Sequence, residues 1–339
     1  MYKFLRPLLF RLNSERAHGL TLQALRHAGN FPLSRWMLQR MYAAPSKPVQ
    51  AFGLTFKNPI GLAAGYDKDG LAIRGLAALG FGHVEIGTVT PRPQPGNPSP
   101  RVFRLAEDEA VINRMGFPSL GAEYLQKQLS AMQGHLSVIV GVNLGKNKDT
   151  PNEEAEFDYL ALLTRFAPYA NYLTINVSSP NTAGLRDLQE RKALENLLLH
   201  VHQQRMVEQE HLNKRIPVLV KLSPDMTEAG LDDSLEAILN THMDGVIVTN
   251  TTLGREGLRS GHQRESGGLS GKPLTVKSEA VLRHTLKRVN GEIPVVSVGG
   301  VMNPEDAKRR LDMGAALVQV YTGLVYRGPA LVKQIVKLL

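Results

Sequence analysis

The chain has 339 residues, 42% hydrophobic and 21% charged, with 31 Gly and 20 Pro. This is a globular composition, long enough for one large α/β domain with an extension or for two average domains. It contains no cysteine, which excludes disulfides, cysteine-ligated iron–sulfur clusters and a thiol nucleophile, and no apolar run approaches the ~18 residues needed to cross a bilayer. The formal net charge of +9 raises nucleic acid as a partner, but residues 1–50 hold eight basic side chains against Glu15 alone, leaving 32 basic and 30 acidic residues for the other 289. The body of the chain therefore lacks the basic balance that nucleic-acid binding requires.

Residues 1–50 read as short helices broken by Pro7, Pro32 and Pro45, with Ser14 as an N-cap and Ala17, Leu20, Ala24, Leu25 and Ala28 recurring at helical spacing up to Gly29. The basic residues are interleaved with Phe4, Leu8, Leu12, Trp36, Met37 and Met41, a pattern that suits a membrane surface. A helical extension with a solvated face is the alternative. The Arg-rich, acid-poor character is shared with mitochondrial presequences, whereas the apolar core and cleavage site of a secretory signal are missing. Ala43–Pro48 reads as a linker, dividing the chain into an extension, 1–50, and a body, 51–339.

From residue 51 the texture changes to eight β-branched runs, each followed by a polar or Gly-rich turn and a helical stretch: Ile60–Ala63, Val84–Thr88, Val138–Asn143, Tyr172–Val177, Val218–Leu222, Gly245–Thr249, Val295–Val298 and Leu317–Tyr321. Apolar strands alternating with helices imply a parallel sheet, and eight units in this length predict a (β/α)8 TIM barrel. A doubly wound open sheet is the alternative, but it would usually carry GxGxxG after its first strand, and that pattern is missing.

Chemistry in such a barrel sits at the C-terminal strand ends. Here those ends carry Lys68 and Lys221, the amides Asn143, Asn176 and Asn250, and the hydroxyls Thr88, Ser178, Ser179, Thr249, Thr251 and Thr322. A single Asn or Thr at a strand end commonly caps the next helix, but the repeated pattern suits a planar ligand rich in C=O and N–H groups, with the lysines supplying charge for an anion or for a cofactor that gains electrons. Gly299–Gly300, Thr322–Gly323 and the run Gly267–Gly271 are expected to form turns that offer backbone N–H groups to a phosphate. Gly141–Asn147 is not a P-loop, being a residue short and lacking Ser/Thr after Lys146. His200 and His202 lack metal-motif context, and the sequons at Asn176 and Asn250 lie at strand ends expected to be buried.

The segments Asn58–Gly65, Ile86–Pro98, Asn113–Phe117, Asn176–Thr182 and Gly267–Gly271 together closely resemble the dihydroorotate dehydrogenases over essentially the whole chain. Ser179, standing where some members have Cys, and the basic amphipathic extension are similar to the membrane-associated, quinone-dependent class 2 enzymes rather than to the forms that pass electrons to an iron–sulfur partner subunit. The resemblance implies one FMN across the barrel mouth, held by Ala64, Gly65, Lys68, Thr88, Asn143, Asn176, Lys221, Thr249, Gly271, Gly300, Tyr321 and Thr322. It implies dihydroorotate, oxidised to orotate in pyrimidine synthesis, held by Lys68, Asn113, Phe117, Asn176, Asn181, Asn250 and Thr251. Ser179 would be the catalytic base, with Thr182 and a water as relay. His18, Arg104 and Tyr321 would lie near the quinone, and residues 1–50 would rest peripherally on the cytoplasmic face of a bacterial inner membrane. No metal and no nucleic acid are implied. A flavin-dependent reductase of dihydrouridine in tRNA is the nearest rival, but it resembles this chain only in fold and uses a cysteine acid. A non-catalytic barrel that only docks through its N-terminal helices is the other alternative.

Overall fold

The computed structural model describes residues 2–134 and 136–339. Eight parallel strands close into a barrel in sequence order: β1 (Ile60–Leu62), β2 (His83–Val89), β3 (Ile139–Leu144), β4 (Tyr172–Asn176), β5 (Val218–Leu222), β6 (Gly245–Val248), β7 (Val295–Val298) and β8 (Leu317–Val320). Closure runs through the pairing of Val318 with Ile60. All eight strands expected from the sequence are present.

Side chains alternate along each strand. Ile60, Leu62, Val84, Ile86, Val140 and Val142 belong to the layer between sheet and helices, so Gly61, Glu85, Gly87, Gly141 and Asn143 turn inward. Some of these positions are glycines for lack of room: a Cβ on Gly61 would meet the His83 ring at 2.0 Å, and one on Gly141 the Tyr172 ring at 2.1 Å. The barrel floor is sealed by an antiparallel hairpin, Val49–Ala51 with Leu54–Phe56, whose Phe52 and Phe56 pack with Tyr172, Leu219, Ile247, Val296 and Leu317. This hairpin was not anticipated, and its first strand spans the expected division at residue 50.

Three helices precede the barrel: α1 (Tyr2–Arg11), α2 (Ser14–Asn30) and α3 (Pro32–Tyr42). Pro7 lies inside α1 rather than ending it, in the second turn, where its missing N–H takes the helical donor from the Lys3 carbonyl. The N-cap of α2 is Asn13, not Ser14: its side-chain oxygen accepts from the backbone N–H groups of Glu15 (3.0 Å) and Arg16 (3.3 Å). The helix extends one residue past Gly29, and Pro32 opens α3 at a position where its missing N–H costs nothing. Backbones touch where α2 meets the helix Ile73–Ala78, since a Cβ on Gly75 would lie 2.1 Å from the Leu25 carbonyl oxygen. Ala43–Pro48, between α3 and the hairpin, is in neither helix nor strand.

A three-stranded antiparallel sheet stands above the barrel mouth: Val102–Leu105, Ala110–Asn113 and Gly268–Gly271. The last of these corrects the expectation of a phosphate-binding turn at Gly267–Gly271. Its glycines answer to crowding: a Cβ on Gly268 would meet Thr251 Oγ1 at 2.0 Å, and one on Gly271 the Glu109 carbonyl oxygen at 2.4 Å.

Candidate active site

One cavity of about 560 Å³ begins at the C-terminal barrel mouth and continues between α1 and α2. Its inner wall contains Ala64, Gly65, Lys68, Thr88, Asn176, Lys221, Thr249, Gly271, Gly300, Tyr321 and Thr322. Asn113, Phe117, Ser179, Asn181, Asn250 and Thr251 line the side beneath the antiparallel sheet, and His18 and Arg104 line the outer part. Of the residues expected to hold cofactor, substrate or quinone, all are on this wall except Asn143, which stands behind it; Thr182, the expected relay, is also off the wall.

Asn143 explains why the wall is ordered. Its amide nitrogen donates to Glu85 Oε1 at 2.8 Å, and its amide oxygen accepts from Thr88 Oγ1 at 2.6 Å and from Asn176 Nδ2 at 3.0 Å. The Asn176 oxygen accepts from the Ser178 hydroxyl at 3.0 Å, and Asn250 Nδ2 donates to that hydroxyl at 3.0 Å. An amide can continue such a chain because it gives and accepts at once. The chain ends in Glu85, a fully buried carboxylate that also accepts from Tyr172 Oη (3.1 Å) and Gln319 Nε2 (2.8 Å). Glu85, Tyr172 and Gln319 were missed in the sequence; only the strand period, which turns them inward, could have found them.

Lys221 sits on β5 with its ammonium in the cavity wall, and no hydrogen bond from the described chain holds it. Burial pushes its pKa down, and the nearby charge of Glu85 opposes that. Lys68 donates to the Gly65 carbonyl at 2.6 Å, and burial pushes its pKa down to about 8. Gly65 adopts φ +98, a region favourable to glycine, and its N–H donates to the Gly87 carbonyl at 2.7 Å. At the other end, the turns Gly299–Gly300 and Tyr321–Gly323 line the wall, with Gly299 and Gly300 both at positive φ. Gln319 Oε1, on the same wall, is buried without a hydrogen-bond partner among the described residues. A cationic lysine held by nothing in the chain, an amide layer and glycine turns at the far end form a donor set that fits a planar, phosphate-bearing flavin.

Ser179 follows β4 and is buried; its Oγ accepts from the Asn181 N–H at 3.3 Å. Asn181 Nδ2 donates to Asn113 Oδ1 at 3.2 Å, joining the β4 loop to the antiparallel sheet. Thr182 Oγ1 is buried without a partner among the described residues. In the outer part, the His18 ring packs edge-on to Tyr66 at 4.9 Å, and Tyr66 in turn meets Tyr321 at 5.7 Å. Burial brings the His18 pKa down to about 4, so the ring is neutral at physiological pH. The Arg104 guanidinium lies 4.2 Å over the Phe10 ring and donates to the Phe10 carbonyl at 3.1 Å. Leu5, Leu9, Ala17, Leu25 and Leu38 make the remaining outer wall mainly apolar.

Fold and cavity thus define a (β/α)8 barrel whose polar, doubly lysine-marked mouth opens into an apolar passage between N-terminal helices. The family model for dihydroorotate dehydrogenase matches residues 47–339, and the chain belongs to that family. A relative from Shewanella sp. (strain ANA-3), named dihydroorotate dehydrogenase (quinone), is 46% identical over 337 residues, covering 99% of this chain and 98% of its own. The protein of that name from Cronobacter sakazakii is 47% identical over 339 residues with the same coverage. Among solved structures, the Eimeria tenella enzyme in complex with ferulenol superposes with a TM-score of 0.87 at 38% identity, over 95% of this chain and 89% of that one.

Proposed function

We propose that the protein oxidises dihydroorotate to orotate in pyrimidine synthesis and passes the electrons, by way of bound FMN, to a membrane quinone. The observation that carries this reading is the single cavity that joins an amide-lined barrel mouth to an apolar passage between α1 and α2. A substrate rich in amide edges suits one end and a long hydrophobic acceptor the other. The extension, 1–50, and the body, 51–339, are accordingly read as a membrane- and quinone-facing unit and a catalytic unit.

FMN would be held by Gly65, Lys68, Thr88, Asn176, Lys221, Thr249, Gly300 and Thr322, with Asn143 positioning Thr88 and Asn176 from behind; bound there, it supplies a reversible two-electron acceptor. Lys68, Asn113, Asn176, Asn181, Asn250 and Thr251 offer the pyrimidinedione and its carboxylate both donors and acceptors, and Phe117 closes the face. Ser179 Oγ takes a proton from the substrate ring. A hydroxyl is a weak base, so it must release its own proton as it acts, and the unpartnered Thr182 hydroxyl, with a water, is the candidate relay. Lys221 and Lys68 stabilise negative charge developing in the pocket. Neutral His18, with Arg104 and Tyr321, offers hydrogen bonds to the quinone head.

No helix among the described residues is long and apolar enough to cross a membrane, so the N-terminal helices would lie on its surface, at the cytoplasmic face of a bacterial inner membrane. The test is the absorption spectrum of the purified protein, recorded anaerobically before and after dihydroorotate. Bleaching of a stoichiometric flavin is expected. A folded protein that neither holds nor takes up FMN would overturn the reading, as would a flavin that dihydroorotate leaves oxidised.

A further inference from the structure

Arg186 touches no part of the cavity, yet it ties together the loops that form the substrate side of it. It stands on a short 3-10 turn, Leu185–Gln189, reached through Gly184 at φ +69. Its Nε donates to the Ser178 carbonyl at 3.1 Å, one Nη to the Thr251 carbonyl at 3.0 Å, and the other to Asp225 Oδ2 at 3.0 Å. These acceptors belong to the loops after β4, β6 and β5 respectively. Asp225 is fixed in turn by Lys277 at 2.5 Å, by the Leu253 N–H at 2.9 Å and by the Thr252 hydroxyl. Burial would raise its pKa, but these donors together with Arg186 outweigh it and keep Asp225 ionised.

The two carbonyls gripped by the guanidinium neighbour or belong to residues on the cavity wall. Ser178 immediately precedes Ser179, and Thr251 is itself a wall residue beside Asn250. Two carbonyl dipoles converging on one point repel unless a cation sits between them, and only a planar fork can satisfy both while pairing with a carboxylate. We propose that Arg186 is a positioning residue: with Asp225 as counter-ion, it sets the spacing between the β4 loop that carries Ser179 and Asn181 and the β6 loop that carries Asn250 and Thr251. This rests on the functional reading above. Displacing a positioned group by about 1 Å can cost on the order of 10²-fold in rate, so the clasp governs the dihydroorotate half-reaction and leaves flavin binding and quinone reduction alone.

The experiment uses FMN-loaded Arg186→Ala, Arg186→Lys and Asp225→Asn proteins beside the wild type. For Arg186→Ala, orotate titrated into the oxidised flavin should bind at least about tenfold more weakly, and the limiting anaerobic rate of reduction by dihydroorotate should fall by about 10- to 100-fold. Reoxidation of photoreduced flavin by quinone should stay within about twofold of wild type. Arg186→Lys should be intermediate, because an ammonium cannot span three acceptors in one plane, and added methylguanidinium should restore part of the Ala variant's rate while leaving the wild type unchanged. Should the Ala variant fail to fold, Asp225→Asn should shift the same two substrate quantities in the same direction. Wild-type orotate affinity and reduction rate in Arg186→Ala, or in both substituted proteins that fold, would overturn the clasp. So would a parallel fall of both half-reactions with loss of FMN, which would assign Arg186 to folding alone. A wild type that dihydroorotate does not reduce would instead overturn the functional reading.

Discussion

The barrel and the N-terminal helices dispose of their apolar side chains in opposite ways. Of the eighteen large hydrophobic residues exposed among the described residues, ten lie in α1–α3 and the turns between them, including Phe4 at 83% and Leu33 at 72% exposure. The much longer remainder holds eight. In the barrel, polarity is turned inward instead: Glu85, Asn143, Lys221 and Gln319 are buried at the centre. A barrel keeps buried polar groups only where each has partners or a ligand to serve, and a concentration of exposed apolar groups on short basic helices suits a surface that meets something other than water. Exposed apolar groups thus concentrate in one region and buried polar groups in the other, and the cavity is lined by both.

The sharpest way to separate them is to damage one half-reaction and leave the other intact. Ser179→Ala should slow reduction of the flavin by dihydroorotate by at least about 10²-fold, the usual loss for a removed general base. FMN content and quinone-driven reoxidation should remain, read by stopped-flow absorbance of the two half-reactions. Wild-type reduction in that variant would show that another group takes the proton. Ser179→Cys should keep partial activity that rises with pH, because the thiolate is the competent form.

The converse damage is removal of residues 1–42. Reduction by dihydroorotate should survive, while reoxidation by a long-tailed quinone should fall by an order of magnitude or more and binding to anionic vesicles should disappear. In the intact protein that vesicle binding should weaken with salt, since eight basic side chains in the first 50 residues supply the attraction. A truncated protein that still turned over quinone normally would make the helices an ordinary solvated cap.

Within the barrel, Lys68 gives a pH-dependent test. Its pKa is brought down to about 8 by burial, and the protonated form is the one that attracts a carboxylate. Affinity for orotate should hold steady below about pH 7 and decline as pH rises through 8, by up to about tenfold per unit, because the bound anion raises the lysine's pKa by linkage. Titration of the flavin spectrum with orotate from pH 6 to 9.5 measures it. Lys68→Met should bind weakly without this inflection; an unchanged inflection would assign the titration to another group.

What the sequence made legible follows from the range of the forces involved. The eight strands declare themselves because each is a local apolar run, and Thr88, Asn143, Asn176, Lys221 and Thr249 because they stand where those runs end; Asn113, Phe117, Asn181, His18 and Arg104 were legible only through the family resemblance. Glu85, Tyr172 and Gln319 were not legible as a network: they lie in three strands, and only barrel closure brings them within hydrogen-bonding distance. Arg186 reads as one more charge in a loop until the β5 and β6 loops fold against it. Gly267–Gly271 was misread because a glycine run marks both a turn and a crowded strand, and the nearest decisive atom, Thr251 Oγ1, is remote in sequence. Asn13 displaced Ser14 as the cap through a shift of one residue, below what spacing alone resolves.

The smallest effect concerns the seam between the two regions, where Glu15 on α2 meets Arg101 of the barrel. Two guanidinium N–H groups donate to one carboxylate oxygen, Oε1, at 2.9 Å from Nε and 2.6 Å from Nη2. Arg101 also donates to the carbonyls of Pro95 and Asn97, and Asn97 reaches the Asn181 carbonyl, so the first turn of α2 is linked to the substrate loop. Burial would raise the Glu15 pKa, but the hydrogen bonds and charge of Arg101 prevail and hold it below the usual carboxylate value. A depressed carboxylate pKa stabilises the folded state fully above the unfolded value and loses that contribution as pH falls through the folded one; the seam should therefore loosen only in acid, below about pH 4.5. The pair is partly exposed, which limits its worth to about 1 kcal/mol or less after screening. Glu15→Gln should accordingly lower the protection factors of the α2 amides by no more than about fivefold at pH 7 and remove the loss of protection that the wild type shows between pH 7 and pH 4. A hundredfold loss would mean that this one pair holds the helix to the barrel, and no loss would leave the close Gly75–Leu25 backbone contact to do so alone.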